Sequence, residues 1–138
     1  MQQLFRIVLV VCLLVPGTAL AFSKNGFDLD NASVPASQIL PGGPPKDGIP
    51  AIDNPRFVDA ESADDLSDDD RVIGLIHNGE ARAYPIGIMN WHEIVNDEIG
   101  GESIVVSYCP LCGTGMVFEA PEGRSFGVSG LLYNSDVL

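Results

Sequence analysis

From Arg71 to Tyr133 the chain is built of short apolar and polar runs, and their periods set the expected fold. "RVIGLIH" (71–77), then Asn78-Gly79, then "EARAYP" (80–85) predicts a β-hairpin, because Asn-Gly accepts the positive φ angles of a type I′ turn and apolar residues flank it. Pro85 ends the second strand. In "IGIMNWHEIVND" (86–97), Ile88, Trp91, His92 and Val95 fall at i, i+3, i+4 and i+7. That spacing predicts an amphipathic helix with His92 on its core-facing stripe, stopped by Gly100-Gly101. "ESIVVSY" (102–108), "GMVFEA" (115–120) and "SFGVSGLLY" (125–133) predict three strands, with Pro121-Glu122-Gly123 turning between the last two. The pattern as a whole predicts an α+β, β-rich domain: an antiparallel sheet with one amphipathic helix.

The N-terminal part has a different texture. "MQQLFR", the apolar run "IVLVVCLLV" and the small residues Ala19 and Ala21 have the layout of a secretory signal over residues 1–21, cleaved before Phe22. The apolar run is too short to span a bilayer, so no stable membrane span is expected after cleavage, and Cys12 leaves with the signal. Residues 22–56 hold six prolines and four glycines and predict an extended arm of turns wrapped on the domain formed by 57–138. Ser62, three residues before Asp65, suggests the N-cap of a short helix.

Charge narrows the partners. Acidic residues outnumber Lys and Arg by 19 to 7, which excludes nucleic acid and anionic lipid surfaces as natural partners and leaves a small molecule or an envelope protein. Much of the acid lies in "DAESADDLSDDD" (59–70), a solvated face that lacks the glycine turn and spaced ligands of an EF-hand calcium loop.

The chemistry concentrates in "SYCPLCGTG" (107–115). Cys109 and Cys112, three apart, can hold half of a metal site, exchange disulfides or close a structural bridge. As metal ligands they would resemble the knuckle of zinc ribbons and rubredoxins, with His92 as third ligand and zinc or copper as the ion. As a redox pair they would resemble the strand-then-CPxC start of glutaredoxins, although Gly113 and Gly115 stand where that fold begins a helix. As a structural disulfide they would belong to a non-catalytic envelope domain, the bridge closing too short a loop to restrict the unfolded chain much. The sequence favours a periplasmic or secreted domain binding a metal or other cofactor through Cys109, Cys112 and His92, with thiol–disulfide redox as the alternative. His77, at a hairpin strand end, is a weaker candidate.

"GGPPKDGIPAIDNPRF", "AYPIGIMNWHEIVND", "GGESIVVSYCPLCGTGMVF" and "FGVSGLLYNSDVL", in that order, resemble the secreted prokaryotic family catalogued as domain of unknown function 3179, over residues 41–138. The resemblance places His92, Glu93, Asn96, Asp97, Tyr108, Cys109, Cys112, Gly113 and Gly115 on family motif positions. It implies no activity, and it implies that family members run on beyond Leu138. The leader reading predicts that N-terminal sequencing of the exported protein starts at Phe22; a start at Met1 would contradict it.

Overall fold

The described part of the molecule, in this computed structural model, comprises residues 23–134 and the backbone of 136–137. The leader expected over 1–21, with Cys12, lies outside the described residues. In chain order the elements are β1 (Ser23–Lys24), β2 (Phe27–Asp28), a 3-10 turn (Ala36–Gln38), β3 (Ile39–Pro41) and β4 (Ile52–Asp53). A second 3-10 turn (Ala60–Ser62) leads to β5 (Val72–His77), β6 (Glu80–Pro85) and α1 (Ile86–His92). There follow β7 (Ile94–Ile99), β8 (Glu102–Cys109), β9 (Thr114–Glu119), β10 (Leu131–Tyr133) and β11 (Asp136–Val137). The result is β-rich α+β, with mostly antiparallel pairing and one α-helix among the described residues.

β7, β8 and β9 form an antiparallel meander, and β4 joins it parallel to β7, giving the order β4-β7-β8-β9. The β5–β6 hairpin forms as its Asn78-Gly79 turn predicts, with φ of 48° and 83° at those two residues. One face of the four-stranded sheet presents Val95, Ile99, Ile104, Val106 and Tyr108. Tyr84 of the hairpin and Met89 of α1 close over it, with Ile73, Leu75 and Val117 packed alongside. Burying such side chains stabilises by roughly 1.5–3 kcal/mol each. Gly115 is what allows the close approach: a Cβ there would meet Ile73 Cδ1 at 2.7 Å.

Asp97 locks the hairpin to the sheet. Its carboxylate, almost wholly buried, accepts from Arg82 Nη1 at 2.5 Å and from the Tyr84 hydroxyl at 2.8 Å. Arg82 in turn stacks over Phe57, whose ring meets Tyr84 edge-on with centroids 5.6 Å apart. At the hairpin tip, Asn78 Nδ2 donates to the Gly100 carbonyl and His77 Nε2 lies 2.6 Å from Glu102. His77 is therefore engaged at the far end of the sheet from the cysteines.

The proline- and glycine-rich stretch is tied in by pairing at both ends. β3 pairs with β10 and β4 with β7; Asn25 Nδ2 donates to the Ser129 carbonyl, and the Lys24 ammonium to those of Ala36 and Ile39.

Three local expectations are corrected. The helix expected over 86–97 stops at His92, because Glu93 adopts the left-handed conformation (φ 59°), and Ile94 and Val95 continue as strand. β-Branched residues with a ready partner in β8 override the helical stripe; Met89 is the helix's buried anchor, while Ile88 and Trp91 are exposed. The strand expected over 125–133 is regular only at β10, since 126–130 spend their backbone groups on Asn96, Asn25 and the 42–47 turns. Ser62 ends a 3-10 turn instead of capping a helix.

Asp97→Ala leaves Arg82 and the Tyr84 hydroxyl without their acceptor in a partly buried site, and is expected to lower unfolding free energy by about 1–3 kcal/mol. Glu98→Ala, at an exposed neighbouring position, should stay within about 0.5 kcal/mol. Urea midpoints of the two variants check this.

Candidate site at the Cys109–Cys112 turn

β8 runs buried to Cys109, the chain turns through Pro110-Leu111-Cys112-Gly113, and β9 returns from Thr114, paired with Cys109 itself. Gly113 closes the turn: at φ 69° its N–H donates to the Cys109 carbonyl at 2.8 Å. That conformation favours glycine. The Cys112 thiol also points back towards the Cys109 carbonyl, Sγ to O 3.8 Å, so both sulfurs belong to one tight turn. Their environments differ. Cys109 is buried and Cys112 is exposed, and both are thiols in this structure.

His92 ends α1 at the same end of the sheet. The Tyr108 N–H donates to the Glu93 carbonyl at 2.8 Å, which places the end of α1 beside the last part of β8. Its ring is half-buried, with Nδ1 2.8 Å from the Pro50 carbonyl. A carbonyl only accepts, so Nδ1 carries the proton and Nε2 of the neutral ring keeps its lone pair. The sequence placed His92 on a helical stripe with Val95; it is α1's last residue, oriented by the turn before β4.

Glu93 has a role the pattern did not suggest. It is the C-terminal cap of α1, its N–H donating to the Met89 carbonyl in the left-handed region where glycine is the usual residue. Burial raises its carboxyl above the usual carboxylate range. The other motif positions divide by task. Asn96 binds Asp53 through Nδ2 and the Phe126 backbone through both amide atoms, Asp97 clamps the hairpin, Tyr108 packs in the core, and Gly115 makes room for Ile73. These roles are structural.

Among the described residues no three His, Cys, Asp or Glu side chains are gathered closely enough to hold a metal ion. No described helix is long and apolar enough to cross a membrane. Sequence reasoning missed Pro50, which orients His92, and the pair of exposed apolar side chains at this end, Trp91 (79 % exposed) and Leu111 (71 %). Nothing local marks Pro50, whereas Leu111 could have been read from its place inside the turn.

The family profile described as "Protein of unknown function (DUF3179)" matches residues 46–138. The chain belongs to this DUF3179 family. Neither a curated protein nor a solved structure matches the chain well enough to indicate kinship.

Glu93→Gly is expected to raise stability by about 1 kcal/mol, because glycine adopts φ 59° without a Cβ clash and removes a partly desolvated carboxyl. A higher urea midpoint checks this; a lower one would show that the carboxyl makes a stabilising contact.

Proposed function

We propose that this DUF3179 chain is an exported thiol–disulfide exchange protein acting through Cys112 and Cys109. The observation that carries the reading is the burial asymmetry inside one turn: Cys112 is open to a partner, and Cys109 lies buried three residues away. The Cys112 thiolate attacks one sulfur of a partner disulfide, forming a mixed disulfide and expelling one partner thiolate. The Cys109 thiolate then attacks the Cys112 sulfur, closing the intrachain bridge and expelling the second partner thiolate. The chain is oxidised by two electrons and the partner reduced, and the two thiol protons end on the partner's sulfurs. His92, whose Nε2 keeps its lone pair while Nδ1 is held on the Pro50 carbonyl, would serve as the acceptor for a thiol proton once brought within reach of the turn.

A second reading is favoured by the closed Cys-x-x-Cys turn and by the His92 tautomer. Cys109, Cys112 and His92 Nε2 would ligate a soft ion, zinc or copper, with Pro50 holding the imidazole. It requires His92 and the thiols to draw together on binding, since no three-ligand group stands preformed among the described residues.

Treating the reduced chain with glutathione disulfide separates the two. Exchange predicts a product two hydrogens lighter than the reduced chain, a trapped glutathione adduct on Cys112 in Cys109→Ser, and no stable adduct in Cys112→Ser. Ion binding predicts stoichiometric metal in the freshly purified chain, lost in Cys112→Ser and weakened in His92→Ala. Absence of both the bridge and the trapped adduct would overturn the exchange reading.

A further inference from the structure

The asparagines that tie the fold together have partners for their side-chain amides. Asn25 donates to the Ser129 carbonyl, Asn78 to that of Gly100, and Asn96 to Asp53 and the Phe126 carbonyl. Asn31 is different. Its carboxamide makes no hydrogen bond to any described residue, and neither does the hydroxyl of Ser33 two positions on. Both side chains are exposed, as is Ala32 between them. They lie in the stretch 29–35, which joins β2 to the first 3-10 turn and belongs to neither, and which is closed by the Ala32 N–H donating to the Leu29 carbonyl at 3.2 Å.

Asn31-Ala32-Ser33 is also the one place in the chain where an asparagine precedes a serine or threonine by two residues. The residue between them is not proline, and Val34 follows, so nothing in the triplet stiffens it. That spacing is the acceptor pattern for glycan transfer to an asparagine, which requires an accessible surface loop in an exported chain. We propose that Asn31 carries an N-linked glycan, added during export. The donor is an oligosaccharide on a lipid pyrophosphate, and the catalyst is a membrane oligosaccharyltransferase. Asn31 Nδ2 forms a bond to the anomeric carbon of the first sugar as that carbon's bond to the pyrophosphate oxygen breaks. The lipid pyrophosphate leaves with the electron pair, and the amide gives up one proton. The proposal rests on the export leader and is independent of the thiols.

Intact-mass and glycopeptide analysis of the protein recovered from the envelope or medium of its own cells tests this. The expected mass exceeds that of the polypeptide by a glycan, and the sugar maps to Asn31. Asn31→Gln and Ser33→Ala should each return the mass to that of the bare polypeptide, whereas Ser33→Thr should keep the glycan because it keeps the hydroxyl. Asn31→Gln should leave the urea midpoint and the rate of disulfide exchange unchanged, since the side chain it replaces is exposed and makes no contact through its amide. A bare polypeptide mass in the wild-type protein, with or without the leader, would overturn the proposal. So would sugar that persists in Asn31→Gln, which would mark attachment to a hydroxyl instead.

Discussion

One buried carboxylate sets the geometry on which the rest depends. Asp97 stands on β7, faces the core, and is met there by Arg82 and Tyr84 of β6. A carboxylate with only 6 % of its side chain exposed is costly without its partners, which favours the hairpin register on the sheet in which all three groups meet. Once that register is set, Pro85 directs the chain into α1, whose Met89 drops into the core and whose seven residues span the hairpin's open end to the start of β7. His92 and the cysteine turn are thereby brought to one end of the sheet. The clamp also explains why Phe57, ahead of the acidic run, is held under Arg82.

The elements legible in the sequence were those whose determinants are local. Asn78-Gly79 specifies its turn whatever lies beyond it, and the β-branched run Ile104-Val105-Val106 reads as strand on either face. The stretch 86–97 was illegible because its apolar residues fit a helical period while half of it pairs with β8. The decision falls at Glu93, in a conformation that nothing in its side chain announces. Residues 125–130 misled for a related reason: their apolar residues are real, but their backbone groups serve side chains far away in sequence, Asn25 and Asn96.

The site shows the same division. Cys109 and Cys112 were evident from spacing, and the turn they share follows from Gly113. Their unequal burial was not evident, because it depends on where β8 ends relative to the core, and that difference moves the functional reading towards exchange. His92 was singled out for a stripe that does not exist; it ends α1, where the Glu93 carbonyl meets the Tyr108 N–H.

The central claim is that Cys109 and Cys112 interconvert reversibly between dithiol and disulfide. Its most direct test is equilibration of the whole chain across a series of glutathione redox buffers, with the bridged fraction quantified after acid quenching and alkylation. The account predicts a single reversible two-electron transition, reached from either the reduced or the oxidised side and abolished in Cys112→Ser. A chain that forms no intrachain bridge in any buffer, or forms one that no buffer reduces, would contradict it.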